Sequence, residues 1–256
     1  IDNDSATVNK VVIVTGSSFG IGAVVAQHFA KESAKVVLVA RTEEKLREVA
    51  KAVKEVKGIE PLIVKADLSE DNDVKKVIEE TVKTFGKIDV LVNNAGFGVA
   101  ANVQDGIEKY DQIMAVNLRS VYLLTGLAVP HLAKTKGNIV NVSSILSIRG
   151  EPDLLPYSIS KAGLDNFTQT VAKGLGPQGI RVNSVNPGPV KTNFHEAAGF
   201  KQEEIDKLFT NRKSKAVLGR FADTDDIAEA ILFLASEKSK STTGSILFVD
   251  GGDTLN

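Results

Sequence analysis

Val11-Val12-Ile13-Val14-Thr15-Gly16-Ser17-Ser18-Phe19-Gly20-Ile21-Gly22 is a β-branched run that ends in glycines and passes into helical spacing over Ile21 to Ser33. A strand fed through a glycine turn into a helix can cradle a phosphate. Glycine permits a tight turn, and the backbone N–H groups at the helix terminus can then reach a pyrophosphate. An ordinary strand-to-helix turn is the competing reading. Three residues separate Gly16 from Gly20 and one separates Gly20 from Gly22, unlike the commoner G-x-G-x-x-G, so the surroundings must decide.

Outward from that turn, short β-branched runs alternate with longer helical patterns. Strands are predicted at Val11 to Thr15, Lys35 to Ala40, Glu60 to Lys65, Ile88 to Asn93, Gly137 to Ser143, Ile180 to Val185 and Ser245 to Val249. Helices are predicted at Ile21 to Ser33, Glu43 to Val56, Asp71 to Phe85, Ile107 to Lys134, Tyr157 to Leu175 and Thr224 to Ser236. Strands that are almost wholly apolar are covered on both faces, so the expectation is an α/β fold. It is a doubly wound parallel sheet of about seven strands, with helices on both faces and ligands at the carboxyl ends of the strands. The least regular region runs from Pro187 to Phe221 around a short helix, Gln202 to Arg212, and reads as a lid.

The chain has 256 residues, 43% of them hydrophobic and 25% charged, enough to bury one sizeable core, and a single domain is expected. A net charge of −1 without a concentrated basic face gives no reason to expect nucleic acid or anionic lipid as a partner. Cysteine is absent, which excludes disulfides, thiolate chemistry and cysteine zinc sites. His28, His131 and His195 lack ligand spacing, so a carbonyl would have to be polarised by hydrogen-bond donors rather than by zinc. The polar start, Ile1 to Lys10, has no signal-peptide pattern. The longest apolar stretch, Leu118 to Ala133, is broken by Arg119, Gly126, Pro130 and His131, so no membrane span and a cytoplasmic location are expected.

Tyr157 and Lys161 stand four apart in a predicted helix and so project from one face. Ionising a free tyrosine near neutrality takes roughly 4 kcal/mol of preferential stabilisation of the phenolate, and a neighbouring ammonium can supply much of it. An i,i+4 Tyr/Lys pair is also a common surface contact. The same holds for Ser144, which could simply cap a helix, and for Asn117, which could be a solvated helix residue.

These motifs, taken together and in order, resemble the short-chain dehydrogenase/reductase family: Thr15-Gly16-x-x-x-Gly20-Ile21-Gly22, Asn93-Asn94-Ala95-Gly96, Asn117, Ser144, Tyr157-x-x-x-Lys161 and Pro187-Gly188. The likeness covers nearly the whole chain. It implies a single Rossmann-fold domain over residues 1–256, with a substrate lid around residues 188–221, as in 3-oxoacyl thioester reductases and hydroxysteroid or secondary-alcohol dehydrogenases. It further implies ketone–alcohol interconversion by hydride transfer, with Tyr157 as proton donor or acceptor. Lys161 would lower the phenol's pKa and bind the nicotinamide ribose. Ser144 would hydrogen-bond the same substrate oxygen, and Asn117 would hold a water that links Lys161 to solvent. Ser143 competes with Ser144, and the thirteen-residue spacing to Tyr157 favours Ser144. Use of the nicotinamide for epimerisation or dehydration, and a non-catalytic nucleotide-sensing scaffold, are the alternative functions.

For the cofactor, the resemblance implies contacts from Gly16, Ser18, Gly20, Ile21 and Gly22 at the turn, and from Asp67, Leu68, Asn94, Ala95 and Gly96 around the adenosine. Pro187, Gly188, Val190 and Thr192 would frame the nicotinamide. Phe19 departs from the family, which usually has serine or a basic residue there. Ala40 stands where members preferring NAD carry Asp, and Arg41 follows it. An arginine there pairs with a 2′-phosphate, so NADP(H) is expected over NAD(H); a solvated Arg41 is the competing reading. Phe97, Leu146, Leu154, Phe194, Phe200, Leu208 and Phe209 suggest an apolar substrate pocket, with Arg149, Lys191 and Lys201 as cations that could approach it. A small carbonyl or alcohol substrate is expected. The helices Ile107 to Lys134 and Tyr157 to Leu175 carry surplus apolar surface, which in the family pairs subunits, so a homotetramer is implied, with a dimer as the alternative.

Overall fold

Seven strands lie parallel in one sheet: β1 (Val11–Thr15), β2 (Lys35–Ala40), β3 (Leu62–Lys65), β4 (Val90–Asn93), β5 (Asn138–Val142), β6 (Arg181–Pro187) and β7 (Ile246–Val249). Their spatial order is β3-β2-β1-β4-β5-β6-β7. This computed structural model describes residues 8–213 and 216–256. Residues 1–7 of the polar N-terminal stretch and residues 214–215 of the expected lid lie outside them.

Alternate residues of a strand face opposite sides, and β1 shows what that does here. Val12 and Val14 enter a core with Val25 and Phe29 of α1 (Gly20–Lys31), Leu46 of α2 (Glu43–Lys57), and Ile227 and Ile231 of α10 (Thr224–Ala235). Val11 and Ile13 enter a second core on the other face. It holds Val74 and Val77 of α3 (Asp71–Phe85), Leu124 and Leu132 of α5 (Ser120–Thr135), and Ala172 of α7 (Leu155–Leu175). Both faces are covered, as the unbroken apolar strands require.

Most boundaries shift by one or two residues, and three of the differences are instructive. β3 starts at Leu62 rather than Glu60, because Pro61 has no N–H to give to a ladder. β6 runs on to Pro187, which pairs with Val249 at its far end. The helix expected from Ile107 to Lys134 is α4 (Ile107–Met114) and α5 joined by a π-helical turn, Ala115–Arg119. By length and apolar content, Ile107–Thr135 meets the measure of a membrane span, which the argument from its interruptions denied. Leu124, Ala128 and Leu132 are spent on the core beneath the sheet.

Chain order reverses between β1 and β4, whose carboxyl ends therefore part and open a crevice. The segment expected to form a lid contains α8 (Phe194–Ala197) and α9 (Gln202–Lys213), and α6 (Leu146–Arg149) follows β5.

Candidate active site

The glycine turn is built so tightly that side chains are excluded from it. Gly16 has φ +66 and Gly20 φ +57, the left-handed region that favours glycine. A Cβ on Gly16 would lie 2.8 Å from Ala95 Cα. One on Gly22 would run into Gly16 O and stand 2.5 Å from Asn94 Nδ2. Helix α1 begins at Gly20 behind an extended Phe19 with no side-chain cap, so no protein side chain claims its first amides.

Neighbouring strands brace the turn. Val39 N donates to Ser17 Oγ at 2.9 Å. Thr15 Oγ1 accepts from both Asn94 N and Ala95 N at 3.0 Å, and Asn94 Nδ2 donates to Thr15 O at 2.8 Å and to Gly16 O at 3.2 Å. The Asn94 amide, expected beside the adenosine, is thus committed to holding β1 and β4 at their divergence.

Above the turn opens a cleft of about 470 Å³. Gly16, Ser18, Gly20, Ile21 and Gly22 line its floor, and Arg41, Asp67 and Leu68 line one end. Asn94, Ala95 and Gly96 form the middle, and Pro187, Gly188, Val190 and Thr192 the far wall. Ser144, Tyr157 and Lys161 line it as well. At the Arg41 end, burial works against ionisation of Asp67. Ser69 outweighs it, donating its N–H and hydroxyl to Asp67 Oδ1 at 3.0 and 2.7 Å, and with the charge of Arg41 it holds the carboxyl below its ordinary value.

Tyr157 and Lys161 sit on one face of α7, as the spacing predicts, both buried. Lys161 Nζ lies 5.5 Å from the Tyr157 ring centroid and donates to Val142 O at 2.8 Å. The expected acidic phenol is not what this geometry produces. Desolvation pushes Tyr157 up to about 12, against which the Ser144 hydroxyl pulls down, and desolvation brings Lys161 down to about 8, against the charge of Asp165. The ammonium, 5.5 Å from the ring centroid and donating to Val142, does not offset that burial.

Both serines line the cleft, and their hydrogen bonds differ. Ser143 Oγ turns away and donates to Lys161 O at 3.2 Å. Ser144 faces the cleft, its Oγ accepting from Leu146 N at 3.1 Å. Asn117 is fully buried in the π-helical turn and lies behind the cleft rather than in it. It accepts from Phe97 N at 3.0 Å and donates to Phe97 O and Ser160 Oγ at 2.9 and 3.1 Å. A Cβ on Gly96 would meet both Asn117 Oδ1, at 3.3 Å, and Lys161 Nζ, at 3.4 Å, so those two groups border the same space beside Gly96.

On the substrate side, Phe97, Leu146, Leu154, Phe194 and Leu208 line the cleft. Phe200 and Phe209 do not; they pack edge-on against His195. Of the three cations, Arg149 donates to Asp253 and Lys191 stands over the Phe209 ring, while Lys201, whose backbone N–H donates to Glu204 Oε2, is not among the cleft-lining residues. Among the lining residues that the sequence did not point to are Glu151, His195 and Arg212. Arg212 pairs with the buried Asp253 at 3.2 Å and with Glu151 at 3.7 Å.

Comparison with known proteins follows the same lines. A family model described as Enoyl-(Acyl carrier protein) reductase matches residues 16–254. A 3-oxoacyl-(acyl-carrier-protein) reductase of Thermotoga maritima is 37% identical over 246 residues, covering 95% of this chain and 97% of that protein. A short-chain dehydrogenase/reductase of unknown function from Caenorhabditis elegans, solved with cofactor, superposes with a TM-score of 0.92 at 38% identity over 98% of this chain and 97% of its own. The L-sorbose reductase of Gluconobacter frateurii, solved with NADPH and L-sorbose, gives a TM-score of 0.92 at 32% identity over 99% of both chains.

Proposed function

The chain belongs to the short-chain dehydrogenase/reductase family of oxidoreductases acting on alcohols and ketones, and from that premise we propose that it reduces a ketone to a secondary alcohol, reversibly, with NADP(H). The observation that carries the reading is convergence. Ser144, Tyr157 and Lys161 face the same cleft that the glycine turn opens, although they come from two different elements.

The residues present fit a dinucleotide. The first turn of α1, which no side chain caps, borders the cleft and can offer its amides to a pyrophosphate. Gly16, Ser18 and Gly20 to Gly22 would hold the pyrophosphate, Asp67 and Leu68 the adenine, and Lys161 the nicotinamide ribose. Bound there, the cofactor supplies the hydride. The chain supplies everything else. Ser144 donates to the substrate oxygen, and Tyr157 gives its proton to that oxygen as negative charge builds on it. Burial favours the protonated phenol, the form that a donor to the substrate oxygen must start from. Lys161 keeps a positive charge beneath the phenol, and Asn117, bordering the same space beside Gly96, would hold the water that restores the proton. The domain spans residues 1–256, with the lid at residues 188–221 closing over an apolar substrate body at Phe97, Leu146, Leu154 and Phe194.

Cofactor choice is directly testable. Arg41 is exposed at the cleft end, Ala40 offers no carboxylate to repel a 2′-phosphate, and Lys45, stacked 5.7 Å over the Phe19 ring, lines the same end. With a panel of ketones, kcat/KM for NADPH should exceed that for NADH by on the order of ten- to a hundredfold, the worth of a charged hydrogen bond. Arg41→Asp should reverse the order, and equal or better use of NADH by the native protein rejects the assignment.

A homotetramer is the proposed assembly, with α5 and α7 at its main contact. Tyr122 on α5 is 71% exposed and stacks on Phe167 of α7, and Ile159 on α7 and Phe233 on α10 are also exposed. Light scattering at micromolar concentration should give four times the chain mass. A monomer would rule the assembly out.

A further inference from the structure

One turn beyond Lys161 on α7 stands Asp165, and its carboxylate reaches across to β6. Asp165 Oδ2 accepts from Asn186 Nδ2 at 2.8 Å. Asn186 is fully buried and immediately precedes Pro187 of the far wall. The same Nδ2 lies 3.1 Å from Ser144 O and 3.1 Å from Ser147 Oγ, while Asn186 Oδ1 accepts from Ser184 Oγ at 2.6 Å. A single amide, held at both ends, therefore joins three elements. These are the helix that carries Tyr157 and Lys161, the turn that carries Ser144, and the strand end that carries Pro187.

The second oxygen of the carboxylate makes this more than a structural brace. Asp165 Oδ1 is buried and has no hydrogen-bond partner. A neutral amide would satisfy Asn186 equally well without that cost, so a charge retained there needs a reason. Lys161 supplies one. It is 3% exposed, and a buried ammonium needs a compensating charge. The titratable groups beside it on its own helix are Tyr157, with the ammonium 5.5 Å from its ring centroid, and Asp165, one turn further along, whose charge acts on it without a direct ion pair. β5 presents only the Val142 carbonyl to it, and the loop after β4 and the π-helical turn present Gly96 and the Asn117 amide.

We propose that Asp165, acting through Asn186, is a positioning residue for proton transfer: it fastens the Ser144 turn and the end of β6 to the catalytic helix and provides the counter-charge that keeps Lys161 protonated. The inference rests on the roles given above to Tyr157, Lys161 and Ser144. It has two separable consequences. The counter-charge opposes the desolvation that brings Lys161 down to about 8, so activity lost on the alkaline side as Lys161 gives up its proton should be lost earlier without it. The tie acts on Ser144, so its removal should matter only while Ser144 has a hydroxyl.

The experiment uses the full-length enzyme with NADPH and its best ketone. Asp165→Asn keeps an acceptor for Asn186 and removes the charge. Its pH profile of kcat/KM should show the alkaline limb moved down by about half a unit or more. Asn186→Ala should lower kcat by about tenfold with the NADPH dissociation constant unchanged, and should cost less than threefold when added to Ser144→Ala. An alkaline limb that stays in place in Asp165→Asn overturns the inference, and so does full additivity of Asn186→Ala with Ser144→Ala. A failure of the underlying proton-donor reading registers elsewhere, in the turnover of Tyr157→Phe.

Discussion

Tyr157→Phe should lower turnover by about 10²- to 10⁴-fold, the usual contribution of a positioned general acid. The substitution removes one oxygen and leaves the rest of the site in place. The ring packs at 5.3 Å against Phe194, a contact phenylalanine preserves, and the backbone carbonyl of residue 157 can still accept from Ser160 Oγ at 2.7 Å. The missing hydroxyl acts in the transition state, so kcat should fall while NADPH affinity, followed by fluorescence titration, holds within a few-fold. Turnover near the native value would remove Tyr157 from the mechanism.

The second large effect is expected at Gly22, through packing rather than chemistry. A Cβ there meets the Gly16 carbonyl and the Asn94 amide, and neither can give way. Gly16 is itself pinned against Ala95, and Asn94 holds the ends of β1 and β4 together. Gly22→Ala should therefore destabilise the fold by about 1–3 kcal/mol, the usual cost of overpacking. In a chain of this size that lowers Tm by roughly 2–4 °C per kcal/mol. NADPH affinity should fall at least tenfold because the displaced turn is the pyrophosphate cradle. Gly174→Ala is the internal control: it lies in α7 with nothing within 4 Å of an added Cβ, and alanine is the better helix former by about 0.5–1 kcal/mol. Scanning calorimetry of both variants tests the claim, and a Gly22→Ala protein as stable and as tight-binding as the native one refutes it.

What could be read from the chain and what could not divide along a physical line. The run Val11 to Thr15 and its glycine turn were legible because a strand buried on both faces leaves no polar residue in its pattern, and because each glycine there answers a local demand of φ or close approach. The Tyr157/Lys161 face was legible because helical periodicity is local. The π-helical turn at Ala115–Arg119 was not, since one residue wider than an α-turn leaves no mark on apolar spacing. The direction of the Tyr157 shift was also hidden. Charge proximity can be inferred from spacing, but desolvation depends on how much of the fold closes over the phenol, and here desolvation wins. Glu151, His195, Arg212 and the pair Asp165 and Asn186 come from separate segments and meet only in three dimensions.

The parallel order of the sheet has a kinetic corollary. The interior strand β1 is synthesised first, yet neither of its neighbours can reach it by a hairpin: β2 arrives across α1, and β4 only once α2, β3 and α3 have been made. Pairings of such long sequence separation make for slow folding. Until they form, this strand, fully buried in the native fold, has both of its hydrogen-bonding edges bare. Renaturation from denaturant should accordingly be sluggish and yield-limited by self-association. Ligand at the β1–β4 divergence, by joining the two halves, would rescue it.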